Sequence, residues 1–191
     1  MKELIDLPKD GITVDVVFDS PLWTQQSLAN PSFKPLNTRA FITRVICDTL
    51  GYVGLPMHCG QRLELVVLLS DLSKMHALNM KYRGEDKPTN VLSFPNYDCT
   101  KGNYRTILKD EIDVYLGDIA LSYTTVLEES IIQEKRFQDH LAHLTVHGIL
   151  HLLGYDHNLA EDEAVMQELE VNLLGGMGIA NPYVMERKEV L

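Results

Sequence analysis

Histidines are concentrated in one short segment of this 191-residue chain. Five of the seven fall between His140 and His157. Within that segment His147 and His151 stand four residues apart, Gly154 follows three residues after His151, and His157 comes three residues later. Imidazole is the commonest protein ligand for zinc-like metals, and three such ligands leave a fourth position open for chemistry. The spacing therefore predicts a metal site held by His147, His151 and His157.

One stripe of a buried helix is predicted to carry four of these histidines, His140, His143, His147 and His151. Each residue of an α-helix advances by about 100°, which places the four side chains within an arc of about 80°. No Asp, Glu, Lys or Arg occurs between His140 and Tyr155, as expected for a helix that is buried nearly all round. A lone core histidine is ordinarily satisfied by a backbone carbonyl, but four on one stripe are hard to satisfy in this way. Neighbours four residues apart can instead share one cation.

Other residues of the segment have candidate roles around the metal. His143 lies one turn before His147, so we expect it to line the cleft or to contact a ligand from outside. Asp156 leaves two interpretations open, a carboxylate that accepts an N–H bond from a ligand or a solvated turn residue. Gly154 fits the left-handed position that ends a helix and lets His157 return toward the helical pair.

Gly148 occupies a position at which metal-dependent proteases carry a catalytic residue. The histidine spacing matches the long zinc signature of metzincin proteases, in which a glutamate follows the first histidine and serves as general base. Glycine supplies no base, and it costs a helix about 1 kcal/mol relative to alanine. We expect the glycine to open space beside the metal. Its presence disfavours proteolysis and favours either water activated by the metal or a nucleophile supplied by the substrate.

Length and composition predict a soluble protein of a single domain, residues 1–191, with loosely docked termini at 1–10 and 176–191. The first residues contain acidic side chains and no apolar signal segment, and no uncharged apolar run is long enough to span a bilayer. Three scattered cysteines fit a reducing cytosol, so we expect a cytoplasmic protein without a membrane partner. The net charge of −10 disfavours generic nucleic-acid binding, and no DNA partner is expected. Residues 72–109 nevertheless contain seven basic and three acidic side chains, a local excess that could hold a phosphate chain.

Hydrophobic periodicity predicts four strands and about five helices, partly segregated along the chain. This pattern is typical of an α+β fold with a mixed sheet, in which the metal-binding helix is buried. The predicted strands are 12–18, 62–69, 89–94 and 112–121. The predicted helices are 36–50, 71–83 with Ser70 or Asp71 as its cap and Gly84 as its end, 122–132, 138–153, and 160–174, which Gly175 and Gly176 are expected to break.

Three segments of the chain, in the same order, resemble the YbeY family of bacterial endoribonucleases. The family signature His-Gly-x-Leu-His-Leu-x-Gly-Tyr-Asp-His stands complete from His147 to His157. A second segment runs from Leu78 through Arg83 to Pro95, and a third is Leu-Gly-Asp-Ile-Ala at 116–120. The resemblance covers the region from residue 62 to the last helix, whereas residues 1–60 match only in general pattern.

The resemblance implies one zinc-like ion on the three signature histidines, with nickel or another divalent transition metal as alternatives. It implies cleavage of single-stranded RNA, with roles in maturing the 3′ end of small-subunit ribosomal RNA and in ribosome quality control. Ribosomal RNA and the ribosome are therefore the expected partners. It also points to Arg83 as a functional residue, whose guanidinium would hold the scissile phosphate and offset charge in the transition state.

Several alternatives stay open at the level of the sequence. Arg83 could instead form a surface ion pair with Glu85 or Asp86, and either water or the RNA 2′-hydroxyl could attack the phosphate. A second hypothesis is a metalloprotease with an unusual base such as Asp156. A third is a non-catalytic protein whose structural metal takes His143 or Asp156 as a fourth ligand. In that case the basic segment 72–109 would dock on the ribosome.

Overall fold

A mixed four-stranded sheet forms the centre of the computed structural model, which describes residues 11–24, 37–55, 61–100 and 102–184. The strands are β1 (Ile12–Phe18), β2 (Arg62–Ser70), β3 (Val91–Pro95) and β4 (Asp113–Ser122). They are ordered β1-β2-β4-β3, with β1 and β4 parallel to β2 and with β3 antiparallel to β4. The predicted α+β class with a mixed sheet is confirmed.

Six α-helices surround this sheet in the described part of the chain, one more than the sequence predicts. They are α1 (Thr38–Tyr52), α2 (Leu72–Arg83), α3 (Tyr104–Ile107), α4 (Tyr123–Ile132), α5 (Phe137–Leu152) and α6 (Ala160–Gly176). The additional helix, α3, lies in a stretch predicted as a long polar loop. It is only four residues long, too short to show a helical period. It is fixed by burial of Tyr104, whose hydroxyl donates to the carbonyl of Val53 at 2.8 Å.

Helix α5 is the buried helix that the sequence predicts. It packs against α1, α4 and α6 and against strands β3 and β4. Its apolar side chains are almost fully enclosed in the main core, including Leu141, Val146, Ile149 and Leu150, each with 0% of its surface exposed. A helix held on so many sides has little freedom to move, so the histidines on it are carried by a rigid element.

Helix α2 lies in a second, smaller apolar cluster, where Met75 packs with Leu92 of β3 and Ala120 of β4. Asp71 caps its start, accepting a hydrogen bond from the backbone N–H of Lys74 at 2.9 Å. Gly84 ends it in a left-handed conformation, with φ of 72°. Both predicted boundary signals are confirmed, and they place Arg83 at the last helical position.

The C-terminal helix departs from its predicted boundary. Helix α6 continues through Gly175 and Gly176, and the left-handed residue that follows it is Gly178, with φ of 75°. The prediction that the glycine pair breaks the helix was wrong, because glycine lowers helix stability without forbidding helical geometry. Residues 1–10 and 185–191 of the predicted loose termini lie outside the described residues. In the described part of the chain, none of the helices has the length and apolar character needed to cross a membrane.

Candidate metal centre and cleft

Three histidines converge where helix α5 ends. His147 and His151 lie one turn apart on α5, and the chain then reverses so that His157 faces them. One ring nitrogen from each residue can be chosen such that all three lie within 4.8 Å of one another. The Nε2 atoms of His147 and His151 are 3.0 Å apart. The structure thus brings together the three residues predicted as metal ligands.

Gly154 makes this reversal possible. Its φ of 83° lies in the left-handed region that glycine favours, as the sequence predicts. A Cβ atom at this position would come within 2.4 Å of both the carbonyl carbon and the carbonyl oxygen of Cys99. The helix end therefore lies directly against the loop backbone at Cys99, and no residue with a side chain fits there without a shift.

Glu170 of helix α6 contacts two histidines of α5, His143 and His147, and it is not among the residues predicted from the sequence. Its carboxylate is fully buried, with Oε1 accepting from His147 Nδ1 at 2.8 Å and Oε2 accepting from His143 Nε2 at 3.0 Å. The hydroxyl of Tyr183 also donates to Oε2. Burial alone would raise the pKa of Glu170, but the hydrogen bonds from the two histidines outweigh it and lower the pKa to about 2.

A sequence signal for Glu170 did exist. The residues predicted to form the apolar face of α6 are Val165, Met166, Leu169 and Leu173. Glu170 lies four residues after Met166 and three before Leu173, so it sits on the same stripe. A carboxylate on a buried stripe needs a partner, and the histidines of α5 offered one.

His143 and Asp156, the two residues with open roles, occupy different surroundings. His143 bonds to Glu170 and is absent from the residues that line the cleft. Asp156 does line the cleft, and its carboxylate accepts from the backbone N–H of His157 at 2.8 Å and from the side chain of Asn158. The hydrogen bonds of Asp156 stabilise the turn itself, which agrees with the interpretation of Asp156 as a solvated turn residue.

Burial controls the protonation of His151. Desolvation, reinforced by the nearby His147 and His157, lowers its pKa to about 4, and the charge of Arg83 contributes in the same direction. At neutral pH the imidazole is therefore uncharged and offers a lone pair. Burial likewise lowers the pKa of His143, against the opposing effect of its hydrogen bond to Glu170.

A cleft of about 710 Å³ opens beside the three histidines. Arg83 lies in its lining together with His151 and His157. The two acids that could have paired with Arg83 have other partners: Glu85 lies 3.4 Å from Lys87, and Asp86 lies 2.7 Å from His76. None of the ion pairs found within the described residues involves Arg83. The guanidinium is thus available to a ligand in the cleft.

The other residues of the lining come from β3, the loop after it, the turn and the start of α6. They are Ser93, Pro95, Cys99, Thr100, Gly154, Tyr155, Asp156, Asn158, Asp162 and Val165.

Gly148 serves packing between helix and sheet. A Cβ at this position would meet Ile119 side-chain atoms at 3.0 and 3.1 Å and the Ser93 hydroxyl at 3.3 Å, and that hydroxyl donates to the Gly148 carbonyl at 3.1 Å. The expectation that this glycine opens space beside the metal was wrong, because the space is already filled by the sheet. A larger side chain would push the helix away from β3 and β4.

Comparison with known proteins agrees with the resemblance seen in the sequence. A sequence profile of the family described as Endoribonuclease YbeY matches residues 27–178. A protein named Endoribonuclease YbeY from Acinetobacter baumannii is 41% identical over 160 residues, covering 83% of this chain and 94% of that protein. Another of that name, from Magnetococcus marinus, is 49% identical over 124 residues, covering 64% of this chain and 84% of that protein.

The solution structure of TM1509 from Thermotoga maritima matches with a TM-score of 0.51, covering 93% of this chain and 99% of that one. At 19% identity it supports the fold alone. The chain belongs to the YbeY family of endoribonucleases.

Proposed function

We propose that this protein is a metal-dependent endoribonuclease that cleaves single-stranded RNA, and that it acts on ribosomal RNA in maturing the small-subunit 3′ end and in ribosome quality control. As a member of its family the chain is an endoribonuclease, a hydrolase that acts on ester bonds of RNA. Metal dependence is carried by one observation, the convergence of three imidazoles, two of which line a cleft that is also lined by Arg83. We place the protein in the cytoplasm, with ribosomal RNA and the ribosome as partners.

The donor set fits a zinc-like ion. The Nε2 atoms of His147 and His151 face each other at 3.0 Å, a geometry that is favourable only when a proton or a cation lies between the two nitrogens. Glu170 accepts from Nδ1 of His147, which leaves the Nε2 of that ring free to coordinate. Ligands of one zinc lie at about 2.0–2.1 Å from the ion, hence within about 4 Å of one another. His147 and His151 meet this limit, and His157 is on an exposed turn where its side chain can adjust. Zinc is the proposed metal, and nickel is the alternative.

The bound metal and Arg83 have separate proposed roles in cleaving the phosphodiester. A bound ion of this class would supply Lewis acidity toward a phosphoryl oxygen and would lower the pKa of a water molecule. Arg83 binds the scissile phosphate through its planar pair of N–H donors and offsets negative charge that grows on the phosphoryl oxygens. The chain orients the phosphate between the guanidinium and the histidines. Both water and the 2′-hydroxyl of RNA remain candidates for the nucleophile.

The two other hypotheses lose support in this geometry. A structural metal would need a fourth protein ligand, but His143 bonds to Glu170, and Asp156 bonds to its own turn. A protease would need a general base beside the metal, and Asp156, the residue suggested for that role, is engaged in the same turn. The open cleft beside the histidines favours catalysis.

RNA cleavage by purified protein tests the proposal. Arg83→Ala and His147→Ala should each lower the cleavage rate of a labelled single-stranded RNA by at least about a hundredfold. The first removes a cation that stabilises charge on the phosphate, and the second removes a proposed ligand of the metal. Lys81→Ala is the matched control, because it removes a cation two residues from Arg83 on the same helix and outside the cleft lining. Wild-type cleavage rates in both Arg83→Ala and His147→Ala would refute the proposal.

Two further arms of the assay address the substrate and the nucleophile. An RNA duplex of the same sequence should be cut far more slowly than the single strand, and equal rates would remove the proposed strand preference. Product ends identify the nucleophile, since a 2′,3′-cyclic phosphate requires attack by the 2′-hydroxyl and a 5′-phosphate with a 3′-hydroxyl requires water.

A further inference from the structure

Glu170 joins two histidines of α5 through the two oxygens of one buried carboxylate. No part of its side chain is exposed, and each oxygen accepts from a different ring. Such a carboxylate is stable only when its lone pairs are satisfied by donors. Here the donors include a residue of the candidate metal site, so the arrangement has a consequence for metal binding.

The contact with His147 determines which of its ring nitrogens carries the proton. Neutral imidazole has one N–H and one lone pair, and a carboxylate that accepts from Nδ1 requires the proton there. The lone pair then resides on Nε2, the atom that faces Nε2 of His151. The same contact fixes the rotation of the ring, and the negative charge behind it makes Nε2 a stronger donor toward a cation.

Tyr183 adds a donor from a part of the chain that the family profile does not reach. The profile match ends at residue 178, whereas Tyr183 lies five residues further on. Its hydroxyl donates to Oε2 of Glu170, and its ring meets the ring of His143 edge-on at a centroid distance of 5.5 Å. Lys135 holds the adjoining backbone by donating to the carbonyl of Pro182. The C-terminal segment, residues 179–184, is thus anchored to Glu170, His143 and Lys135.

We propose that Glu170 is the positioning residue that orients His147 for metal binding, and that Tyr183 completes the set of donors around Glu170, so that the C-terminal segment 179–184 contributes to metal affinity. This inference rests on the metal site of the proposed function. Neither residue lines the cleft, so neither contacts the RNA there.

The same helix provides a matched control. His140 is buried on α5 and its Nε2 lies 2.7 Å from Oε2 of Glu129, while Asn90 donates to both oxygens of that carboxylate. This is the same kind of histidine–carboxylate pair, but its histidine lies outside the candidate ligand set. Glu129→Gln therefore removes a carboxylate partner from another histidine of α5 without touching His147.

Zinc affinity, measured by competition with a chromophoric chelator on metal-free protein, tests the inference. Glu170→Gln should weaken zinc binding by about ten- to a hundredfold. Tyr183→Phe keeps the ring and loses only the hydroxyl, so it should weaken binding by about two- to fivefold. Glu129→Gln should stay within about twofold of wild type, as expected for a pair that does not touch a ligand. Wild-type affinity in Glu170→Gln would overturn the positioning role, and wild-type affinity in Tyr183→Phe would overturn the role of the C-terminal segment.

A second readout needs no variant at this buried position. Nitrogen-15 NMR of histidine side chains in metal-free wild-type protein should show His147 with its proton on Nδ1. A proton on Nε2 would overturn the inference even if Glu170→Gln failed to fold. Failure of the wild-type protein to bind zinc or nickel at all would instead refute the metal site of the proposed function, so the two failures are distinguishable.

Discussion

Replacing Gly154 by alanine should destabilise the protein by more than its backbone conformation alone predicts. Alanine in the left-handed region costs about 1–2 kcal/mol. The new Cβ would also lie 2.4 Å from the Cys99 carbonyl group, far inside the contact distance of about 3.5–4.0 Å, so the loop backbone must move. Overpacking of this kind costs a further 1–3 kcal/mol or so, giving about 2–5 kcal/mol in total.

Thermal unfolding followed by circular dichroism measures this loss. For a protein of this size each kcal/mol lowers Tm by about 2–4 °C, so Gly154→Ala should lower Tm by roughly 4–20 °C. Gly178→Ala isolates the backbone contribution, because Gly178 has a similar φ of 75° and a Cβ added there would meet nothing within 4 Å. The free energies of unfolding of the two variants should differ by at least about 1 kcal/mol. Equal losses would refute the argument that close approach to Cys99 constrains the turn.

Three other perturbations have outcomes that follow from the same structure. Zinc at a hundred times its Kd should stabilise the metal-free protein by about 2.7 kcal/mol and raise Tm by roughly 5–11 °C, with no rise in His147→Ala; a rise in that variant would contradict the proposed ligand set. Asp71→Ala removes the cap of α2 and should cost about 1 kcal/mol in chemical denaturation, whereas an unchanged midpoint would mean that the cap is not needed. Burial raises the pKa of Glu129, but hydrogen bonds from His140 and Asn90 outweigh it and leave the pKa below its usual 4.5. Its ionised form thus contributes stability that is fully present above about pH 4.5 and is lost as pH falls below it, so Glu129→Gln should flatten the acid limb of a stability–pH curve, and an identical limb would argue against the contact.

The candidate metal site was predictable because its parts are close together in sequence. His147, His151 and His157 span eleven residues, so helical spacing and one turn glycine were enough to place them. The four strands were similarly readable, since each carries its own apolar alternation or run. Arg83 needed the family resemblance, because one arginine among several basic residues has no periodic pattern that marks it.

What the sequence did not reveal depends on packing between distant elements. Glu170 is 23 residues from His147, and their contact exists only because α6 packs on α5. The role of Gly148 depends on Ile119 and Ser93, which arrive from two strands whose pairing no local pattern specifies. Helix α3 is similarly held by Tyr104, whose hydroxyl bonds to the residue that follows α1. The contacts of Glu170, Gly148 and Tyr104 therefore become known only with the tertiary arrangement, although the position of Glu170 on a buried stripe indicates that it needs a partner.

The close contact at Gly154 also bears on how the cleft can admit a strand of RNA. Cys99 and the turn at Gly154 both line the cleft and lie directly against each other. We therefore expect the two to move as one unit. Separating them would break this close backbone packing. Arg83 lines another part of the cleft, at the exposed end of α2, on a long side chain with no ion pair among the described residues. We therefore expect the cleft to widen mainly by movement of the Arg83 side chain when RNA enters. The turn that carries His157 should stay in place.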